Sequence, residues 1–126
     1  MENSAKTILV IDDDPYMLDV VVRNMKLKGF RVLSTTDAEK GFMLAETEKP
    51  DLIISDINMP AIDGLTLLKG FRSNKVTEKI PVIMLTASDR IADVEDGFTS
   101  GAQAYLLKPF DWETAWPKIE PLLKPG

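Results

Sequence analysis

The 126-residue chain contains no cysteine and no histidine. The first absence removes a disulfide framework, a thiol nucleophile and every zinc site with sulfur ligands. The second removes the imidazole general base and nitrogen ligands for a metal. Any metal ion must therefore be held by oxygen, which points to a hard cation such as magnesium. Covalent chemistry must run through Ser, Thr, Lys, Tyr or a carboxylate. Long apolar runs are lacking as well. The longest early one, Ile8-Leu9-Val10-Ile11, is too short for a signal-peptide core or a membrane span. A cytoplasmic location with no membrane partner is the resulting expectation.

What is present reads as one folded domain, with 44 % hydrophobic and 28 % charged residues. The net charge is −5, from 20 acids and 15 bases, which argues against direct binding of nucleic acid. The imbalance is local. Residues 1–63 carry 12 acids and 7 bases, whereas residues 64–126 carry 8 of each. Within the first half, Asp12, Asp13 and Asp14 stand side by side at the end of an apolar run, which a need for solubility does not explain.

Hydrophobic periodicity alternates along the chain. Thr7 to Asp12 is a short, buried strand. Asp14-Pro15 follows as an N-cap and first helical residue, with Leu18, Val21, Val22 and Met25 on one helix face and Gly29 as the stop. Arg31 to Thr35 is a second strand. Asp37 caps a helix from Ala38 to about Glu48, broken by Pro50. Asp51 to Asp56 is a third strand, and Asn58 to Gly64 a loop of turn formers. Leu65, Leu68 and Phe71 mark a helix to about Ser73. Pro81 to Thr86 is a fourth strand. Ile91, Val94 and Phe98 mark a helix closed by Gly101, Gln103 to Leu107 is a fifth strand, and a last helix begins near Asp111. Five near-continuous apolar strands alternating with helices predict an open, doubly wound α/β domain. Its parallel sheet, in order 2-1-3-4-5, carries helices on both faces.

Such sheets bind ligands at the carboxyl ends of their strands. Strand 1 ends in Asp12-Asp13-Asp14, strand 3 in Asp56, strand 4 in Thr86-Ala87 and strand 5 in Lys108-Pro109. Taken singly, each has an ordinary role: Asp caps helices, Thr favours strands, Lys is solvated. Together they converge at the crevice between strands 1 and 3. Clustered carboxylates repel unless a cation intervenes, and magnesium suits an all-oxygen site. Lys108, the Thr86 hydroxyl and the backbone N–H after strand 4 suit a phosphoryl group. A carboxylate can itself be the nucleophile toward phosphorus.

These motifs, ILVIDDDP, PDLIISDINMPAIDG, IPVIMLTA and GAQAYLLKPF, resemble the receiver domain of two-component response regulators, with the flavodoxin-like fold of the chemotaxis regulator. The resemblance spans about residues 6–116, so residues 1–126 are expected to be one receiver domain, with 117–126 as the start of a linker. It implies that Asp56 is the phosphoacceptor. Asp13 would ligate magnesium directly, Asp12 mainly through water, and Asn58 through its backbone carbonyl. Thr86, Lys108 and the Ala87 backbone N–H would hold phosphoryl oxygens. Tyr105 matches the switch aromatic that couples to Thr86, and the Lys108-Pro109 bond is expected to be cis. Asn58 and Ser88 occupy the positions that set the lifetime of the phosphorylated state. Implied partners are a sensor histidine kinase or histidine phosphotransfer protein as donor, and a downstream protein or output domain. The surface of helix 4, strand 5 and helix 5 would contact it, or form a homodimer on phosphorylation.

Two features depart from the pattern. Pro117 and Pro121 interrupt the apolar face of the last helix, Ala115, Trp116, Ile119, Leu122 and Leu123, which predicts a helix that is short, kinked or broken near Trp116. The pair Gln103-Ala104 before Tyr105 has no evident consequence. Two alternatives stand beside the main reading. One is a haloacid-dehalogenase-like phosphatase using Asp12 and Asp14. The other is a receiver-like binding module that works without phosphate. No glycine-rich nucleotide-binding motif is present.

Overall fold

The computed structural model describes residues 6–56, 64–86, 101–108 and 111–123. In chain order they form β1 (Thr7–Ile11), α1 (Pro15–Leu27), β2 (Arg31–Thr35), α2 (Ala38–Glu48), β3 (Leu52–Asp56), α3 (Gly64–Ser73), β4 (Val82–Thr86), β5 (Ala104–Leu107) and α4 (Trp112–Leu123). The expected helix carrying Ile91, Val94 and Phe98, and the loop from Asn58 to Asp63, lie outside the described residues. No described helix is long and apolar enough to cross a membrane.

All strand pairs are parallel, and the order is β2-β1-β3-β4-β5, as expected. The period-2 alternation of each strand builds two separate cores. Leu9, Ile11, Ile53, Val82, Met84 and Tyr105 point to one face. There they meet Ala38 and Ala45 of α2 and Leu67, Leu68 and Phe71 of α3. Ile8, Val10, Leu52, Ile54, Ile83, Leu85 and Leu106 point to the other. There Val21 and Met25 of α1 and Ala115, Ile119 and Leu123 of α4 cover them. β3 and β4 are buried along their whole length because both faces are covered.

The helix ends follow the sequence signals. Asp14 accepts a hydrogen bond from the Tyr16 N–H at 3.0 Å, and Asp37 from the Glu39 N–H at 3.0 Å. α1 closes in a Schellman motif: the Phe30 N–H donates to Met25 O, the Gly29 N–H to Lys26 O, and Gly29 takes φ +94°. Gly41 lets α2 lie directly on β1, since a Cβ there would meet Ile11 Cδ1 at 2.5 Å.

The last helix corrects part of an expectation: it is neither short nor broken. No break occurs at Trp116. α4 runs uninterrupted for 12 residues through Pro117 and Pro121, no shorter than α2 with 11 or α3 with 10. Both prolines sit on the exposed face, where water can satisfy the carbonyls they leave without an N–H. The opposite face buries Ala115, Ile119 and Leu123, and this burial outweighs the lost bonds. Residues 117–123 are therefore part of the packed domain. Trp116 lies against Phe30, with ring centroids 6.1 Å apart, and Lys28 Nζ sits 4.5 Å from its centroid.

Candidate functional site

β1 and β3 are neighbours, with Ile11 opposite Ser55. The next residues, Asp12 and Asp56, therefore emerge together at the carboxyl edge of the sheet. Asp12 is fully buried and Asp56 nearly so, while Asp13 is the most open of the three. One carboxylate oxygen from each of Asp12, Asp13 and Asp56 lies within 4.8 Å of the others.

Lys108 follows β5, and its backbone N–H donates to Thr86 O at 2.6 Å. From there its side chain reaches across the ends of β4 and β3. Its Nζ lies 2.9 Å from Asp12 Oδ2 and 3.3 Å from Asp56 Oδ2. Asp12 is further held by the Asp14 backbone N–H, which donates to its Oδ1 at 3.0 Å. Asp12 Oδ2 receives no well-directed hydrogen bond despite its closeness to the ammonium.

The electrostatics follow from this crowding. Burial pushes the Asp12 carboxyl up to about 6 and the nearby Asp56 charge adds to the rise, although the adjacent Lys108 ammonium and the Asp14 hydrogen bond oppose it. Asp13 is also raised, by desolvation and by its approach to Asp56. Burial alone would lower Lys108, but its bond to Asp12 and the charges of Asp56 and Asp12 win and raise it. One ammonium thus faces three carboxylates. The donors are hard oxygens, one of them buried and poorly satisfied, so the residues present fit a hard divalent cation such as magnesium.

Asp14 plays a different part. Its carboxylate caps α1 from an exposed position, the structural role that its place before Pro15 suggests. Thr86, the last residue of β4, is fully buried. Tyr105 pairs with Met84 across the sheet and is buried in the α2–α3 core. Thr86 has the same strand parity as Met84, so it and Tyr105 occupy diagonal positions on one face. The structure thus brings together Asp12, Asp13, Asp56 and Lys108, with Thr86 and Tyr105 alongside. Asn58, Ala87, Ser88 and the Lys108–Pro109 bond lie outside the described residues.

Sequence reasoning passed over two side chains. Gln103 Oε1 accepts from the Val82 N–H at 2.7 Å and from Arg72 Nη2 at 2.8 Å, so the Gln103-Ala104 variation does have a consequence. Lys118 of α4 donates to the main-chain oxygen of Tyr105 at 3.0 Å. No residue pattern marks that contact, because its acceptor is a backbone atom.

Comparison with known proteins agrees with this arrangement. The family model of the response regulator receiver domain matches residues 8–119. The chain is 44 % identical over 117 residues to the DNA-binding dual master transcriptional regulator RpaA of Synechocystis, covering 93 % of this chain and 48 % of that protein. It is 35 % identical over 119 residues to the alkaline phosphatase synthesis transcriptional regulatory protein PhoP of Bacillus subtilis, covering 94 % and 49 %. It thus spans about half the length of these curated relatives. Among solved structures, chemotaxis response regulator CheY4 of Vibrio cholerae superposes with a TM-score of 0.89 at 28 % identity, covering 95 % of this chain and all of that one. The chain belongs to the response regulator receiver domain family, the regulatory phosphoacceptor module of two-component signal transduction.

Proposed function

We propose that the chain accepts a phosphoryl group on Asp56 from the phosphohistidine of a partner kinase or phosphotransfer protein. The observation that carries this reading is the convergence of Asp12, Asp13, Asp56 and Lys108 at one strand edge. A carboxylate oxygen of Asp56 attacks phosphorus, the P–N bond of the donor breaks, and an acyl phosphate forms. These 126 residues contain no histidine, so the phosphohistidine donor lies outside them. Lys108 is already within ion-pairing reach of Asp56, where its charge can neutralise a phosphoryl oxygen. Thr86 offers its hydroxyl from the neighbouring strand end, and the Ala87 backbone N–H is assigned as a further donor. Asp12, Asp13 and Asp56, with the Asn58 carbonyl, would hold magnesium, which supplies positive charge to the transferring group. Attack by water later returns the carboxylate.

The signal leaves the site through Thr86 and Tyr105. The hydroxyl of Thr86 bonds the new phosphoryl oxygen, and the space it leaves is taken up by Tyr105 on the same face. The surface around β5 and the C-terminal helix then changes for a downstream protein, an output domain or a second copy of the chain. The curated relatives are transcriptional regulators, which makes control of transcription the proposed output of a full-length protein.

The test is labelling with acetyl phosphate and magnesium. Wild-type protein should acquire an alkali-labile phosphate, and Asp56→Asn should acquire none. Label that persists in Asp56→Asn overturns the assignment.

A further inference from the structure

The outer edge of β5 shows a connection that the phosphorylation site does not use. In a strand, N–H and C=O groups of successive residues point to alternate sides. The Lys108 N–H bonds Thr86 O, so Leu106 and Ala104 also face β4. The main-chain groups of Tyr105 and Leu107 must then face away from the sheet. The Tyr105 carbonyl is consequently an edge group, and the ammonium of Lys118 on α4 caps it at 3.0 Å. Among the described residues Lys118 makes no ion pair with a carboxylate, and this is the one hydrogen bond of its side chain. The positions three and four residues away on its helix, Thr114, Ala115, Pro121 and Leu122, hold no acid, and the exposed lysine reaches back to a backbone oxygen.

We propose that Lys118 is a positioning residue that latches α4 to the strand carrying Tyr105. The inference rests on the switch reading of Tyr105 given above. Turning of that side chain shifts the local backbone of β5. The latch passes this shift to α4, whose buried residues Ala115, Ile119 and Leu123 lie in the apolar core on that face of the sheet. Apolar contacts allow sliding, whereas a charge-assisted hydrogen bond resists it. α4 also carries Trp112 and Trp116, the only two tryptophans of the chain. Tryptophan emission therefore reports on the helix and on its contact with Phe30 and Lys28. Tyrosine signals report on Tyr105, with the exposed Tyr16 as an internal reference.

The experiment adds beryllofluoride and magnesium to the full chain labelled with carbon-13 at tyrosine. It is run on wild type, Lys118→Met and Lys118→Arg, each first shown to be folded by its amide spectrum. The expected result is a Tyr105 shift in all three. A tryptophan emission change should accompany it in wild type and Lys118→Arg but be mostly lost in Lys118→Met. An equal emission change in Lys118→Met, or none in wild type, overturns the latch while the switch stands. A Tyr105 signal that does not respond in wild type overturns both.

Discussion

Lys108 and Asp12 meet across the full width of two intervening strands. The lysine follows β5 and the aspartate follows β1, yet Nζ and Oδ2 are 2.9 Å apart. The same ammonium is 3.3 Å from Asp56. This cation is the internal counter-charge of the acidic cluster, and one positive charge does not neutralise three carboxylates. The imbalance makes the cluster both unstable by itself and receptive to a divalent cation.

The pH dependence of stability follows in sign. The Asp12 carboxyl rises from 3.8 to about 6 on folding. Between those values the folded chain holds a proton that the unfolded chain has released, so stability falls as pH rises through the window and is level above it. Asp13 acts in the same direction. Without divalent cations the protein should be less stable near pH 7.5 than near pH 5, by about 1 kcal/mol from Asp12. Asp12→Asn should lose most of that slope. Magnesium at a hundred times its Kd should return about 2.7 kcal/mol near pH 7.5. Thermal unfolding against pH checks all three, and a stability that rises through the window contradicts the account.

Removing the ammonium should have a pH-dependent cost. Lys108→Met leaves Asp12 and Asp56 facing each other with no cation between them. Near pH 7.5 and without metal, the loss should be about 3 kcal/mol. Near pH 5, where Asp12 carries a proton, it should be much smaller. Urea unfolding at the two pH values measures the difference; equal losses would mean that the pairing is not what Lys108 contributes.

Far from the acidic edge, Arg72 gathers the segments that precede β4 and β5. Its guanidinium donates to Gly101 O at 2.8 and 3.0 Å, to Ile80 O at 2.8 Å and to Gln103 Oε1 at 2.8 Å. Burial lowers its pKa, and the carbonyls it meets replace lost water. Arg72→Met should cost about 3 kcal/mol and Gln103→Ala about 1–2 kcal/mol. In a double-mutant cycle the two losses should be less than additive, since they share a bond. Strict additivity would show that the Arg72–Gln103 contact carries no energy.

The prolines of α4 offer a gain. Pro117 is exposed inside the helix, so Pro117→Ala restores an N–H for Glu113 O on the solvent face. Helix preference favours alanine there by about 3 kcal/mol, less whatever relaxation the present backbone has already made. A rise in thermal midpoint is expected. A fall would mean that Pro117 has a packing role.

Much of this was legible because each strand announces itself twice, by its apolar run and by the polar residue that ends it. Asp12, Asp56, Thr86 and Lys108 stand at strand termini, and strand order alone puts such residues at one edge. The unbroken α4 was not legible. Local preference argues for a helix short, kinked or broken near Trp116, and the buried contacts of Ala115, Ile119 and Leu123 show why it continues without a break. Gln103 and Lys118 were missed for a related reason. Their partners, the Val82 N–H and the Tyr105 carbonyl, are main-chain groups, which sequence patterns do not distinguish.

The most direct test of the central claim locates the phosphoryl group. Wild-type protein treated with acetyl phosphate and magnesium is reduced with borohydride, which converts an acyl phosphate to the alcohol, and is then digested and sequenced by mass spectrometry. Homoserine at position 56 is the predicted result. Modification at Asp12 or Asp13, with Asp56 intact, would contradict the account.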